Sequence, residues 1–195
     1  VVLEQSEKVA SVWRNRSWDS FSLVTPNWAF RMPGAEYNGT DPDGFMPRNQ
    51  VIACFEDYVK EFKLPVKYKT QVRSIETVDH KGYLIQTNEH TYKAKNAVIA
   101  TGFFQQPKIP GFAAHVSSDI HQLHSSQYRN PALLPEGAVL VVGSGQSGSQ
   151  IAEELYRAGR KVFLCVGTAG RAPRRYRGKD IMGWLEIIGF FNLTP

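Results

Sequence analysis

Apolar positions along the chain fall into short, separate patterns, each pointing to a different element. Val1 to Glu4 is an apolar run closed by a carboxylate, the pattern of a buried parallel strand with an acid at its carboxyl end, where open α/β sheets bind ligands. From Ser17 to Asp43 neither the helical nor the strand period holds, and Trp, Pro, Gly and Asn crowd together, so the segment reads as a long functional loop. Asn49 is placed to cap a helix in which Val51, Ile52, Phe55, Tyr58, Val59 and Phe62 share one face, and Pro65 ends it. Three antiparallel strands follow between Thr70 and Ala94, carrying Val72, Ile75 and Val78, then Tyr83, Leu84 and Ile85, then Thr91 and Tyr92, with turns at Lys81-Gly82 and Asn88-Glu89. Ala97 to Ala100 reads as one more buried strand, stopped by Thr101-Gly102.

Beyond Pro107 the prolines and histidines carry no clear period, which places a linker at 111–136 between a first domain at 1–110 and a second beginning at 137. Ala138 to Val142 is then a strand, Gly143 to Gly148 a glycine turn, and Gln150 to Ala158 a helix with Ile151, Ala152 and Leu155 facing inward. Lys161 to Val166 returns as a strand. This is a βαβ unit, and such a unit requires a parallel sheet.

Composition narrows the class. With 42% hydrophobic and 21% charged residues, the 195-residue chain can bury a core and is not of the disordered type. The formal net charge of +5 is modest, and much of it sits in Arg171, Arg174, Arg175, Arg177 and Lys179, a cluster that suits a phosphate-bearing ligand at least as well as a nucleic acid. The only cysteines, Cys54 and Cys165, fall in helix and strand patterns, which suggests neither a disulfide framework nor a metal site. No apolar run reaches the roughly 18 residues of a membrane span and no signal peptide opens the chain, so the cytoplasm is the expected location.

Gly143-Ser144-Gly145-Gln146-Ser147-Gly148 matches GxGxxG, and its position after a strand and before a helix and second strand is what a dinucleotide fingerprint requires. Gly143 permits the tight turn, Gly145 lets backbone approach a pyrophosphate, and Gly148 lets helix and strand pack closely. The helix amino terminus offers free N–H groups and the positive end of its dipole. A nucleophile elbow through Ser147 fails because Ser149 stands where its final glycine belongs. An NAD enzyme usually places an acid at the end of the next strand, but Gly167 and Thr168 stand there. Arg171, Arg174 and Arg175 follow and could fork a ribose 2′-phosphate, favouring NADPH; which arginine does so is open, and a solvated charge run is the bland alternative.

With these motifs in place, the sequence resembles the flavoprotein monooxygenases that include flavin-containing and Baeyer-Villiger enzymes. The resemblance implies an α/β fold of two Rossmann-like dinucleotide-binding domains, FAD on the first and NADPH on the second, with the antiparallel meander inserted in the first. Val2-Leu3-Glu4 resembles the strand whose terminal Glu binds the FAD ribose, which makes Glu4 and the adjacent Gln5 implied FAD contacts. The glycine motif that precedes this strand in the family is absent, which implies an N-terminally truncated first domain; both domains are expected to be incomplete. Val12-Trp13-Arg14 resembles the segment lying along the flavin, so Trp13 and Arg14 are implied contacts, although the family's preceding glycine pair reads Ala10-Ser11. Val72 matches the position whose backbone touches adenine, and Ala100-Thr101-Gly102 resembles the turn that closes the first domain against FAD. His124 and Tyr128 keep the terminal spacing of F-x-G-x-x-x-H-x-x-x-Y, whereas Ser118 and Ile120 replace its Phe and Gly.

The implied chemistry is hydride transfer from NADPH to FAD, reaction with dioxygen, and oxygenation of a small organic substrate through a flavin hydroperoxide. Asn27 is a candidate hydrogen-bond donor to the peroxide, against a plain turn asparagine after Pro26. His124 is the candidate for coupling NADPH motion to chemistry, against a linker histidine with a local hydrogen bond. A pyridine nucleotide-disulfide reductase shares the paired nucleotide folds but needs redox cysteines, and the chain has no CxxC. A non-catalytic nucleotide-binding module is a further alternative. Nucleic-acid binding through Arg171 to Lys179, with Tyr176 stacking, is disfavoured because the cluster lies where a cofactor phosphate belongs. The expected partners are substrate and dioxygen, without nucleic acid, metal or membrane span, and a homodimer is left open.

Overall fold

Val2–Leu3 (β1) runs parallel to Val66–Lys67 (β2), Val2 opposite Val66. The computed structural model describes residues 1–78, 82–102, 105–168, 170 and 172–193. They divide into two units, one made of Val1–Asp19 with Arg48–Asn130, the other of Ser20–Pro47 with the chain from Pro131 onward. The segment 20–47, which the sequence reading placed inside a first domain at 1–110, thus clusters with the second unit.

In the first unit, β1 is shorter and more open than the expected buried strand, with Val1 and Val2 exposed, because β2 is its one hydrogen-bonded neighbour among the described residues. A short helix, Ser11–Arg16 (α1), follows; one and a half turns are too few for a hydrophobic period to reveal. It is entered through Ala10 in the left-handed conformation, φ 59° and ψ 35°. The long helix Arg48–Glu61 (α2) begins one residue before the expected cap. Asn49 therefore lies inside the first turn, where its Oδ1 accepts from Gln50 N at 3.0 Å, because Pro47 ends the preceding extended chain and Arg48 is already helical. Val51 on α2 is fully buried, and the Tyr58 and Phe62 rings, one turn apart, meet with centroids 4.6 Å apart and planes tilted by 42°.

The meander forms as the alternation predicts: Val72–Thr77 (β3), Tyr83–Thr87 (β4) and Thr91–Ala94 (β5) pair antiparallel with Ile85 buried at the centre. Lys81 of the first turn lies outside the described residues. At the second turn Asn88 accepts from Gln71 N at 2.8 Å and donates to Lys69 O at 3.0 Å, tying the hairpin to the chain before β3. Ala97 to Ala100 departs from expectation. It is not a strand, and Val98 and Ile99 are 90% and 75% exposed. An apolar run becomes a buried strand only where neighbours supply a ladder and a cover, and the described residues supply neither.

The first unit is closed by a polar clasp. Asp19 pairs with Arg48 at 3.2 Å and accepts from Asn130 Nδ2 at 2.7 Å, while its own N–H donates to Arg129 O at 2.8 Å. Asp19, Arg48 and Asn130 are the residues at which the chain leaves, re-enters and again leaves this unit.

The second unit holds the predicted βαβ arrangement. Val139–Val142 (β6) and Val162–Cys165 (β7) are parallel, and Gln146–Arg157 (α3) joins them. Ile151, Ala152 and Leu155 are the buried positions of α3, the three assigned from the pattern. The basic stretch then forms a hairpin, Arg175–Tyr176 (β8) with Lys179–Asp180 (β9), followed by Ile181–Ile187 (α4). Its two-residue turn places both Arg177 (φ 49°) and Gly178 (φ 75°) in the left-handed region, as tight hairpins require. The excursion 20–47 doubles back on itself through Leu23 N to Met46 O (2.9 Å), Asn27 N to Gly44 O (2.9 Å) and Trp28 N to Pro42 O (3.0 Å).

Candidate dinucleotide site

The glycine turn joins β6 to α3, and each glycine answers to a separate constraint. Gly143 has φ 105°, a conformation closed to residues with a Cβ, and its N–H donates to Cys165 O at 3.0 Å, which pins the turn to β7. Gly148 lies against it. A Cβ on Gly148 would stand 2.0 Å from the Gly143 carbonyl oxygen and 3.5 Å from Val141. Gly145 is the opposite case: a Cβ there would meet nothing within 4 Å. The space beside it is open to a ligand. Gly145 caps α3 without a side-chain hydrogen bond, and the first bond of the helix runs from Ser149 N to Gly145 O at 2.9 Å. The amides ahead of Ser149 are thus offered at the positive end of a twelve-residue helix. A turn that demands glycine on its packed side and leaves an open approach over uncapped amides fits a pyrophosphate.

Of the three candidate arginines, Arg171 lies outside the described residues. Arg174 is already engaged. Its Nε lies 2.7 Å from Asp180 Oδ2 and its guanidinium stacks 4.6 Å from the Phe45 ring, while Asp180 Oδ1 caps α4 by accepting from Met182 N at 2.9 Å. Arg175 stands exposed on β8, beside Arg177, whose guanidinium lies over Tyr176 at 5.2 Å.

In the first unit, Glu4 directly follows β1 and its Oε1 accepts from Ser6 N at 2.8 Å, which holds the carboxylate just beyond the carboxyl end of the strand; Gln5 is exposed beside it. Arg14 on α1 donates to Val9 O at 3.0 Å and pairs with Glu56 on α2, so it braces the two helices next to Trp13. Arg16 and Gln105 were not singled out from the sequence, yet they join two candidate segments. Arg16 donates to Gln105 O at 2.5 Å, and the Gln105 amide donates to Thr101 O. The Trp13 helix and the Ala100-Thr101-Gly102 turn are thereby tied together, with Gly102 at φ 74°. Val72 opens β3 at a bulge, half-exposed.

Asn27 and His124 each make local hydrogen bonds. Asn27 is 5% exposed, and its Nδ2 donates to Asp41 O at 2.8 Å, so the amide spans the excursion from one limb to the other. Its Oδ1, an acceptor and not a donor, has no hydrogen-bond partner among the described residues. His124 closes its own turn: Nδ1 lies 2.9 Å from Ser126 Oγ and accepts from Ser126 N at 3.2 Å, and His124 N donates to the Gln127 side chain at 3.0 Å. Tyr128, four residues on, is buried.

The family model for pyridine nucleotide-disulphide oxidoreductases matches residues 1–186. The chain belongs to this family. Among relatives of the pyridine nucleotide-disulphide oxidoreductase chain, a CzcO-like oxidoreductase of Geobacillus kaustophilus is 40% identical over 193 residues, covering 98% of this chain and 54% of the relative. A probable indole-3-pyruvate monooxygenase of Arabidopsis thaliana, YUCCA1, is 28% identical over 191 residues, covering 94% and 45%. A flavin-containing monooxygenase of Stenotrophomonas maltophilia shares the mixed α/β fold, with a TM-score of 0.79 at 21% identity, covering 95% of this chain and 55% of that one. The chain spans about half the length of the curated relatives it matches. Despite the family's name, Cys54 lies on α2 and Cys165 at the end of β7, and neither is in a disulfide. Among the described residues no helix is long and apolar enough to cross a membrane, and no cluster of three or more His, Cys, Asp or Glu is arranged to hold a metal.

Proposed function

We propose that this chain is part of a flavoprotein that passes hydride from NADPH to FAD and oxygenates a small organic substrate with dioxygen. The reading is carried by the turn between β6 and α3, where Gly148 is closed by packing and Gly145 is open above uncapped amides. An extended anionic pyrophosphate suits that shape and that charge. Gly167 and Thr168 in place of an acid, followed by an exposed Arg175, favour a 2′-phosphate and hence NADPH. Two Rossmann-like domains, one for each cofactor, are the organisation this implies.

Toward FAD, the residues we assign are Glu4 with Gln5 for the ribose, Trp13 and Arg14 on α1, Val72 for adenine, and Ala100-Thr101-Gly102. The hydrogen bond from Ser6 presets the Glu4 carboxylate as an acceptor. The Arg16–Gln105–Thr101 chain keeps α1 and the following turn in register. When bound, FAD would supply the hydride acceptance and the oxygen chemistry; the protein binds, orients and excludes water. The likeness to an indole-3-pyruvate monooxygenase supports an oxygenase, and cysteines placed far apart in the sequence, without a CxxC, favour dioxygen over a disulfide as electron acceptor. The test is NADPH oxidation by the flavin-loaded protein under air and under nitrogen, with peroxide measured. Consumption that depends on dioxygen is expected, and turnover only with an added disulfide would overturn the reading.

A further inference from the structure

The excursion 20–47 is fastened to the nucleotide-binding helix itself. Gln150, on the second turn of α3, donates from Nε2 to Ser22 O at 3.1 Å, a partly buried bond between residues far apart in the sequence. Ser22 in turn bridges Pro47, and Leu23 N donates to Met46 O at 2.9 Å with both side chains buried. Both limbs of the excursion therefore meet at the point Gln150 holds. The far part of the excursion has its own anchors, Phe45 against Arg174 and a 3.6 Å pair between Arg31 and Glu186.

We propose that Gln150 is a positioning residue through which a dinucleotide on the Gly143–Gly148 turn tightens the base of the 20–47 excursion; the proposal rests on the nucleotide reading of that turn. The physical reason is the uncapped start of α3. Gly145 contributes no side-chain cap, so the first turn, Gln146 to Ser149, which Ser149 Oγ ties to Ser144 O at 3.3 Å, is more open to fraying than a capped one. Gln150 is the first residue beyond that turn. Fraying displaces it and releases Ser22 O. A pyrophosphate accepting from the leading amides acts as the missing cap, suppresses fraying, and keeps the Gln150 amide on its acceptor. The effect is an ordering of a segment without a change of fold, visible in amide exchange rather than in a shifted structure.

The experiment is hydrogen exchange on the chain with and without saturating NADP+, beside a direct titration of NADP+ binding. Amides from Leu23 to Thr25 and around Met46 should exchange about three- to tenfold more slowly with NADP+, the size one hydrogen bond carries. Gln150→Met keeps the side-chain length and removes the donor, and should abolish this NADP+-dependent difference while NADP+ still binds. A merely structural role would raise exchange equally with and without nucleotide, and that result overturns the proposal. If Gln150→Met melts α3, Gln150→Glu, which keeps polarity and shape but cannot donate at neutral pH, serves in its place. Wild-type protein that binds NADP+ with unchanged exchange at 20–47 overturns this inference and leaves the nucleotide site standing. Failure to bind NADP+ overturns both.

Discussion

Gly148 lies so close under Gly143 that any side chain on Gly148 would drive its Cβ to 2.0 Å from the Gly143 carbonyl oxygen. Gly148→Ala should cost about 2–3 kcal/mol of stability, because the obstacle is backbone that itself turns at φ 105°. Gly145→Ala meets no protein atom within 4 Å, and its cost in stability should stay under about 1 kcal/mol. NADPH affinity should nonetheless fall about tenfold in Gly145→Ala, since the methyl occupies the approach to charge-assisted amide bonds. Thermal melts and NADPH titrations of the two variants separate packing from binding; equal melting losses would contradict the division of labour.

Arg174 and Arg175 should part company in the same way. Arg174→Ala removes the partner of Asp180 and the guanidinium over Phe45, so it should lower the melting temperature and leave the NADPH to NADH preference nearly unchanged. Arg175→Ala should weaken NADPH about tenfold and NADH little, with ordinary stability. Ratios of kcat/KM for the two nucleotides decide between them.

Ala10 enters α1 at φ 59°, where an L side chain pays roughly 1 kcal/mol and glycine does not. Ala10→Gly should raise stability by about 0.5–1 kcal/mol, read as a higher urea midpoint at unchanged slope.

Asp19 is held below the usual carboxylate range, chiefly by the hydrogen bond from Asn130, with the charges of Arg48 and Arg129 adding and partial burial opposing. A depressed folded pKa means stability that is complete above the unfolded value, about 3.9, and is lost as pH falls from there through the folded value. Asp19→Asn should therefore be less stable than wild type at neutral pH, with the gap closing in acid. A gap that persists undiminished in acid would contradict the assignment of the clasp to a charged Asp19.

Burial pushes the Cys54 thiol up, with the nearby Asp57 charge adding, whereas Cys165 is exposed at the end of β7. A thiol reagent at neutral pH should label Cys165 first, because the thiolate is the reacting form and access is open. Cys54 should react only slowly until the pH is raised or the protein is unfolded, which peptide mapping after iodoacetamide would reveal.

Local order alone was enough to make several elements legible. The meander, the βαβ unit, the inward face of Ile151, Ala152 and Leu155, the turn conformation of Gly143 and the close packing of Gly148 all follow from periodicity or from the stereochemistry of a turn. These are contacts between near neighbours in the chain, so the sequence alone determined them. The tertiary structure decided the rest. Whether Ala97 to Ala100 pairs depends on strands elsewhere, and apolar composition cannot report their presence. The engagement of Arg174 by Asp180 and Phe45, the bracing of the excursion by Asn27, and the bonds Arg16 to Gln105 and Gln150 to Ser22 join residues with no sequence pattern between them. A polar side chain on a short segment looks the same whether it faces a cofactor, solvent or a distant carbonyl. Only the packing of the chain determines which partner it meets, because a hydrogen bond depends on position and direction and not on spacing along the sequence.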